Sequence, residues 1–313
     1  MPFPERHASS FPARWIAGST LAAFAAAGTD AHRICSSEAA WIERFGDDVL
    51  LSYKEETARD ATLADLPAWE AEHGMQHRRI FGKFIPLKND ERIAPVLIDG
   101  EPSLPLETVV HENGMRFGLD FAAGYSAGLF IDQRANRAAL RRQPVQRLLN
   151  TFAYTCSFSV AAALAGAETV SIDLSKKSLD RGRANFALNN IETGTHRFLA
   201  DDVLDVIPRL ARRGETFDAI ILDPPTFSRG NKGRRFQVER DFETLLQAAL
   251  EVATPRARIL LSTNCTRLTR RELERIARFA LKFRRQAADF HNEPELPDVP
   301  RDFGAQTLWL TLK

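Results

Sequence analysis

Cysteine is scarce in this sequence of 313 residues. The three cysteines, Cys35, Cys156 and Cys265, lie far apart without C-x-x-C spacing, which argues against a disulfide framework and against a zinc site. Long hydrophobic runs are also missing, because no apolar stretch reaches the about 18–20 residues that a membrane span needs. These absences predict a cytoplasmic protein with no bound metal and no membrane partner.

One apolar stretch, residues 15–27, has features of a signal peptide, since Arg14 precedes it and small residues end it. Gly18, Ser19 and Thr20 interrupt the run. We therefore expect a short alanine-rich helix at this position.

Net charge is nearly absent. Lys and Arg number 42 and Asp and Glu 41, which leaves a formal charge of +1, so bulk charge identifies no partner. Basic residues are nevertheless concentrated in residues 229–285. A set of five recurs there at helical spacing: Arg271, Arg275, Arg278, Lys282 and Arg285. Such a face could neutralise the phosphates of RNA, and the alternative is an ordinary solvated helix face.

The length and the 44% share of hydrophobic residues predict one large domain and a smaller one. We expect a tail and a short helix in residues 1–28, a small α+β domain in residues 29–115 and a larger α/β domain in residues 116–313. Near the end of the small domain, residues 107–120 are typical of a β-hairpin, because Asn-Gly is a strong turn signal.

After Arg142, short apolar runs alternate with helical stretches, which is typical of a parallel sheet with crossover helices. The predicted strands are Val145–Phe152, Thr169–Ile172, His196–Leu199, Ala219–Leu222, Ile259–Thr263 and Thr307–Leu312. The predicted helices are Ser157–Ala165, Lys176–Asn189, Val203–Arg213, Arg240–Val252 and Arg270–Phe283. This pattern predicts a doubly wound α/β fold, in which ligands bind at the carboxyl ends of the strands.

Acidic residues follow three of these strand ends: Asp173, Asp201 with Asp202, and Asp223. Asp173 ends the second strand, where a carboxylate is placed to accept hydrogen bonds from both hydroxyls of a ribose. A carboxylate after the third strand, at Asp201 or Asp202, can accept from an adenine amine. A lone Asp at a strand end is equally often a helix N-cap, but the order and spacing of the set favour a ligand.

Five segments carry a resemblance to a known family: LFIDQRANR at residues 129–137, LLNTFAYTCSFSVAAALAGA, SIDLSKKSLDRGRANFALNN, ADDV and FDAIILDPPTF. With them the sequence resembles class I S-adenosylmethionine-dependent methyltransferases, and in particular the group that methylates cytosine C5 or guanine N7 of large-subunit ribosomal RNA. The resemblance runs from about Thr29 to the C-terminus and is strong across residues 116–228. It implies a Rossmann-like, mostly parallel sheet of seven strands in residues 116–313, preceded by a small α+β domain.

The resemblance also implies S-adenosylmethionine as cofactor, ribosomal RNA as substrate and a set of site residues. The implied cofactor-binding residues are Gln133, Arg134, Phe152, Tyr154, Thr155, Cys156, Ser157, Asp173, Leu174, Ser175, Asp201, Asp202 and Asp223. The implied catalytic residues are Asp223, Pro224, Pro225, Phe227 and Cys265. Among these, Asp173 is the expected ribose ligand and Asp202 the expected adenine ligand, with Asp201 as the alternative. Arg134 is expected to pair with the methionine carboxylate.

Three departures from the family pattern stand out. Most relatives carry Gly-Gly where this chain has Cys156 and Ser157, and a left-handed backbone there costs a non-glycine residue about 1–2 kcal/mol. From the length of its N-terminal part, we also expect this chain to lack the separate RNA-binding module of many ribosomal relatives. Thirdly, Asp-Pro-Pro-Thr lacks the immediate aromatic residue of amine-methylating relatives, and Phe227 follows one position later.

Cys265 ends the fifth strand, where cytosine-C5 relatives place a nucleophilic cysteine. The neighbouring Arg267 and Arg270 could lower the pKa of its thiol, and the alternative is a small residue buried at a strand end. Two further functions stay open: methylation of a protein or small molecule, and cofactor binding without activity.

Overall fold

The computed structural model describes residues 13–86, 92–230, 235–300 and 303–313, so most of the predicted tail lies outside the described residues. The chain divides into two compact units. The first comprises the described residues up to Gly114, together with Leu119–Ala127 and Pro297–Pro300. The second comprises Met115–Gly118, Gly128–Leu296 and the described residues after Arg301. In the described part of the chain, no helix is both long enough and apolar enough to span a membrane.

The first unit is a six-stranded sheet with two helices. Its elements are β1 (Arg14–Trp15), α1 (Gly18–Ala26), β2 (Ala31–Ser36), β3 (Ala40–Phe45), β4 (Asp48–Tyr53), α2 (Glu56–His73), β5 (Arg79–Phe84) and β6 (Val96–Gly100). The strands lie in chain order, and every pair is antiparallel except β4–β5, which α2 connects. The predicted small α+β fold is therefore confirmed, and α1 occupies the stretch expected to be a short helix.

One face of this sheet packs against the two helices. Ile34, Ile42 and Leu51 form a buried cluster with Leu66 and Trp69 of α2. The helix ends where Gly74 adopts a left-handed conformation with φ 62°, which glycine reaches without a side-chain clash. The opposite face of the sheet carries polar side chains, which are discussed below.

A buried ion pair joins β4 to β5. Asp48 is fully buried, and its carboxylate accepts hydrogen bonds from Arg79 at 3.0 and 2.7 Å and from Arg78 at 3.3 and 3.0 Å. Arg79 also donates to the carbonyl oxygens of Leu104 and Pro105. Because both charges are paired and hydrogen-bonded, the cost of burying them is offset.

The predicted hairpin is confirmed as β7 (Glu107–Glu112) and β8 (Met115–Asp120). At its turn, Asn113 and Gly114 have φ values of 50° and 74°. Two consecutive positive φ values match the tight hairpin turn that Asn-Gly favours.

The second unit contains a seven-stranded sheet. Its elements are α3 (Arg134–Arg142), β9 (Arg147–Thr151), α4 (Ser157–Leu164), β10 (Glu168–Asp173), α5 (Lys176–Leu188), β11 (Arg197–Ala200), α6 (Val203–Arg212), β12 (Phe217–Leu222), β13 (Phe227–Arg229), β14 (Arg235–Gln237), α7 (Val238–Glu251), β15 (Ala253–Thr263), α8 (Arg270–Arg284), β16 (Ala288–His291) and β17 (Gln306–Leu312). The sheet order is β11-β10-β9-β12-β15-β17-β16, with β17 antiparallel to both of its neighbours. The predicted Rossmann-like sheet is confirmed.

Alternate residues of each central strand face different helices. In β12, Ile220 and Leu222 pack with residues of α6, α7 and α8, whereas Ala219 and Ile221 pack with residues of α3 and α4. A strand buried on both faces has no polar side, which explains the continuous apolar run Ala219–Leu222 in the sequence. The result is three layers, with helices on both faces of the sheet.

The register brings several strand ends to one level. Thr151 of β9 pairs with Ile172 of β10 on one side and with Leu222 of β12 on the other. The next residues, Phe152, Asp173 and Asp223, therefore leave neighbouring strands side by side. This edge of the sheet is where a doubly wound fold binds its ligand.

We predict that Asp48→Asn lowers the free energy of unfolding by about 3 kcal/mol, because it leaves the Arg79 guanidinium buried without its anion. Burial opposes ionisation of Asp48, but hydrogen bonds from Arg79 and Arg78 hold its pKa below the ordinary value. The stabilisation is therefore complete above about pH 4 and lost as the pH falls through the folded-state pKa.

Urea unfolding followed by tryptophan fluorescence measures this loss, since Trp15, Trp41 and Trp69 lie in the first unit. Asp47→Asn is the matched control, because the Asp47 side chain is 68% exposed and should change the stability little. Equal unfolding curves for the two variants would show that the ion pair contributes nothing.

Candidate cofactor and active site

Asp173 joins two loops at the edge of the sheet. One carboxylate oxygen accepts a hydrogen bond from the backbone N–H of Tyr154 at 2.8 Å, and the other accepts from the N–H of Ser175 at 2.8 Å. Burial raises the pKa of Asp173, and the two backbone hydrogen bonds oppose this rise. The carboxylate is thus held in one orientation by the loops that follow β9 and β10.

The loop between β9 and α4 is strained. Phe152, Tyr154 and Cys156 have φ values of 53°, 48° and 61°, a left-handed conformation that costs a non-glycine residue about 1–2 kcal/mol. The sequence indicated such a cost at Cys156 and Ser157, but Ser157 is the first residue of α4, and the other strained positions are Phe152 and Tyr154. Strain of this kind persists where surrounding contacts impose it, and it is concentrated at ligand-binding sites.

Thr155 fixes the middle of this loop. Its hydroxyl donates to the carbonyl oxygen of Gly128 at 2.6 Å, and its own carbonyl oxygen accepts from the Asn185 amide at 2.9 Å. Two aromatic contacts flank the loop: the ring of Phe152 lies 5.6 Å from that of Phe236, and the ring of Tyr154 lies 5.6 Å from that of Phe130.

The Cys156 side chain packs against a glycine of the neighbouring helix. A Cβ atom built on Gly182 of α5 would lie 2.5 Å from the Cys156 sulfur. The thiol therefore occupies the space that a side chain at position 182 would fill. Burial raises the pKa of Cys156 to about 12, so the thiol stays protonated and acts as a packing group.

The acidic residues after β11 also have structural partners. Asp202 is the N-cap of α6, where its carboxylate accepts from the N–H of Leu204 at 2.9 Å. Asp201 accepts from the N–H of Asp202 at 2.8 Å and forms an ion pair with Arg209. The helix-capping alternative thus applies to Asp202, and its role as an adenine ligand stays a prediction.

Leu174 and Ser175 complete this side of the edge. Leu174 follows Asp173 directly and is 39% exposed. Ser175 is the N-cap of α5, and its hydroxyl oxygen accepts from the N–H of Ser178.

Asp223 lies at the carboxyl end of β12. Burial raises its pKa to about 6, while a hydrogen bond with Ser262 of the neighbouring β15 opposes the rise. The Asp132 charge raises this pKa further, and the Arg137 charge lowers it. After Asp223, Pro224 is buried, whereas Phe227 is 44% exposed.

A buried polar network supports Asp223 from α3. Gln133 donates to the hydroxyl of Ser262 at 2.9 Å and accepts from Asn136 at 2.9 Å. Asn136 in turn accepts from the indole N–H of Trp309 at 2.8 Å. This network orders the floor of the site, and it gives the Gln133 side chain two partners inside the protein.

Arg137 lies beside the candidate site and was not among the site residues expected from the sequence. It is buried, donates to the carbonyl oxygen of Phe130 at 2.8 Å and lies 3.4 Å from the hydroxyl of Ser157, the first residue of α4. Its only sequence signal is its place three residues after Arg134, on the same turn of α3. Arg134 is also buried, and its pairing with a methionine carboxylate stays a prediction.

Cys265 lies beyond the end of β15 and is 4% exposed. Its thiol donates to a carboxylate oxygen of Glu239 at 3.4 Å, and Glu239 also pairs with Arg267 at 2.9 Å. Arg267 was expected to lower the pKa of this thiol. In the structure it pairs with Glu239, which accepts the hydrogen bond of the thiol. Glu239, at the start of α7, was not identified from the sequence.

Five neighbouring strand ends therefore bring together most of the implied site residues. The described residues include no cluster of His, Cys, Asp or Glu that could hold a metal ion.

A model of the S-adenosylmethionine-dependent methyltransferase family matches residues 50–311. The chain belongs to this family. The match includes every element of the seven-stranded sheet except the last residue of β17.

Two relatives carry names from ribosomal RNA methylation. YwbD of Bacillus subtilis (strain 168), provisionally named a ribosomal RNA large subunit methyltransferase, is 38% identical over 50% of this chain and 40% of its own length. Ribosomal RNA large subunit methyltransferase I of Cronobacter sakazakii is 31% identical over 79% of this chain and 63% of its own length. The chain thus matches less than two thirds of either relative.

The solved structure of SMU.776 complexed with SAH is similar to this chain with a TM-score of 0.81 and 25% identity, covering 94% of this chain and 78% of that one. The cofactor of the family is S-adenosylmethionine, and the residues present here fit it. A carboxylate fixed between two loops suits a ribose diol, and the strained loop beside it is typical of a ligand-binding segment.

We predict that Gly182→Ala lowers the free energy of unfolding by about 1–3 kcal/mol, because the added methyl group meets the Cys156 sulfur. Cys156→Gly removes this clash and relieves the left-handed strain. The double variant should therefore be more stable than the sum of the two single changes predicts.

Thermal and urea unfolding of the four proteins measure this coupling as a double-mutant cycle. Additive effects within about 0.5 kcal/mol would contradict the packing between residues 156 and 182.

Proposed function

We propose that this protein is a methyltransferase that transfers a methyl group from S-adenosylmethionine to a base of ribosomal RNA in the cytoplasm. The single observation that carries the proposal is the juxtaposition of Asp173, the strained loop after β9 and Asp223 at one edge of the sheet. Membership of the family supports the reaction, and the names of the two relatives support the substrate. We assign catalysis to a domain at residues 116–313, after the small domain at residues 29–115.

When bound, S-adenosylmethionine supplies an electrophilic methyl group on a positively charged sulfur. We assign the ribose hydroxyls to Asp173, whose carboxylate is already oriented by two backbone N–H groups. Leu174 offers an exposed apolar surface to the adenine ring, and Asp202 offers a carboxylate to its amine. Arg137 joins Arg134 as a candidate for the methionine carboxylate, because its guanidinium lies 3.4 Å from the hydroxyl of Ser157, the first residue of α4.

The remaining assignments concern the methyl acceptor. Asp223 and the Pro224 carbonyl group orient the acceptor base, and Phe227 stacks on it. A base in a duplex cannot reach such an edge, so the target nucleotide is unpaired or flipped out. With the acceptor and the methyl group held in line, positioning and exclusion of water provide most of the rate enhancement.

The basic face predicted from the sequence lies largely on α8. Arg275 pairs with Glu272 at 2.8 Å and Arg278 with Glu274 at 2.6 Å. These pairs neutralise part of the positive charge that the helix presents to a ligand. On the same helix, Phe279 is 57% exposed and Phe283 is 69% exposed. Cations beside exposed aromatic rings suit single-stranded RNA, because every base can stack on such a ring. The basic segment at residues 231–234 lies outside the described residues.

Cys265 favours cytosine C5 as the acceptor atom. In this reaction Glu239 takes the thiol proton, the sulfur bonds to C6 of the base, and C5 takes the methyl group, which releases S-adenosylhomocysteine. Loss of the C5 proton to a water molecule then expels the thiolate, which restores the aromatic base. The 3.4 Å contact between the Cys265 sulfur and Glu239 supports the first step.

The test of the proposed function is methyl transfer from labelled S-adenosylmethionine to unmodified total RNA. We expect label in large-subunit ribosomal RNA, and RNase treatment before the reaction should abolish it. Label that survives RNase treatment would instead indicate a protein or small-molecule acceptor. Cofactor binding without label in any fraction would indicate an inactive relative.

We predict that Cys265→Ala reduces methyl transfer at least 1,000-fold and leaves S-adenosylhomocysteine affinity unchanged, because it removes the nucleophile and no cofactor contact. Glu239→Gln should slow transfer less and move the rate profile to higher pH, because the thiol then loses its proton acceptor. Cys35→Ala, in the first unit, is the matched control. Full activity of Cys265→Ala would exclude the cytosine-C5 mechanism.

A further inference from the structure

A buried arginine in the first unit has unmet hydrogen-bonding capacity. The Arg33 side chain is 5% exposed, and one of its terminal nitrogens donates to Glu43 at 3.0 Å. Among the residues that the structure describes, its Nε and its other terminal nitrogen have no hydrogen-bond partner. Because buried N–H groups are nearly always paired, these two donors are available to hydrogen-bond a bound group.

The strand register places other polar groups beside this arginine. The Arg33 guanidinium lies 5.5 Å from the ring centre of Trp41. Trp41 is the register partner of Ser52, and Ser52 is the register partner of Lys83, so the three side chains share one face of the sheet. Ser52 is fully buried, and its hydroxyl also has no partner in the described part of the chain.

Lys83 extends this cluster toward the surface. Its ammonium nitrogen lies 5.2 Å from the ring centre of Tyr125, and the guanidinium of Arg92 lies 4.7 Å from the same ring. Burial lowers the pKa of Lys83, the Arg33 and Arg92 charges lower it further, and Glu43 opposes them. Arg92 is exposed and Lys83 half-buried, so the cluster runs from a buried floor to the protein surface.

The balance of charge selects the ligand. Arg33, Lys83 and Arg92 provide three positive charges, and Glu43 provides one negative charge. The carboxylate of Asp298 accepts from the backbone N–H of Arg33 at 2.9 Å and provides a second negative charge, which leaves a net charge of +1 among these five groups. Several donors with an excess of positive charge suit an oxyanion, and a guanidinium edge matches the geometry of phosphate.

We infer that Arg33, Ser52, Lys83 and Arg92 form a phosphate-binding site in the first unit. The phosphate accepts from an unpaired N–H of Arg33 and from the Ser52 hydroxyl, and the two outer cations neutralise its charge. The phosphate group has two possible sources, free inorganic phosphate and the backbone of RNA. The site lies within the first unit, so it is tested without measuring methyl transfer.

The experiment is a pair of calorimetric titrations at fixed ionic strength, one with inorganic phosphate and one with a single-stranded RNA dodecamer. Lys83→Met and Arg92→Met should each weaken binding at least tenfold, and Ser52→Ala should weaken it about threefold. Lys54→Met is the matched control, because Lys54 is exposed in the same unit and should leave binding unchanged. Arg33 is left intact, because its removal would leave the buried Glu43 carboxylate without a positively charged partner.

The two titrations distinguish the sources. If the site variants lose affinity for phosphate only, the site is assigned to free phosphate. If they lose affinity for the RNA, whether or not they also lose affinity for phosphate, the site is assigned to the RNA backbone. The inference is overturned if neither probe binds the wild-type protein, or if Lys83→Met, Arg92→Met and Ser52→Ala all bind as the wild type does. Thermal unfolding of each variant without ligand checks that a weakened titration reflects lost contacts and not a lost fold.

Discussion

The two hydrogen bonds accepted by Asp173 are the interaction on which the proposed site depends. They join the loop after β9 to the loop after β10, and they fix the carboxylate in the orientation that a ribose would meet. Together with the two hydrogen bonds of Thr155, they hold the left-handed residues of the first loop in place. The same contact therefore maintains backbone strain and orients a charged group, and it links the fold to the cofactor site.

Packing on the helical side of this loop explains how the chain accommodates Cys156 in a left-handed conformation. The Cys156 side chain fills the space left open at Gly182, so a residue that would narrow the site is directed into the protein interior instead. On the acceptor side, Asp223 is held by Ser262, and Ser262 by Gln133. Both halves of the site are thus fixed by buried contacts from helices and not by the loops alone.

Much of this arrangement could be predicted from the sequence, because it is local. Apolar runs define the strands, the turn pair Asn113-Gly114 defines the hairpin, and Asp173 and Asp223 are placed by the strand ends. The structure added what depends on long-range contacts. Short β16 carries four residues with no clear pattern, and the contact of Glu239 with Cys265 joins residues 26 positions apart. The polar face of the first sheet was missed for the same reason, since Arg33 and Lys83 meet only through the strand register.

The most direct test of the account is a calorimetric titration of S-adenosylhomocysteine into the wild-type protein, Asp173→Asn and Asp180→Asn. In Asp173→Asn one carboxylate oxygen becomes an amide that cannot accept, so one loop is released and the ribose loses an acceptor. We expect binding to the wild type, a loss of about 100-fold or more in Asp173→Asn, and wild-type affinity in Asp180→Asn, whose side chain is 55% exposed. Equal affinity for all three proteins would contradict the assignment of the cofactor to this edge of the sheet.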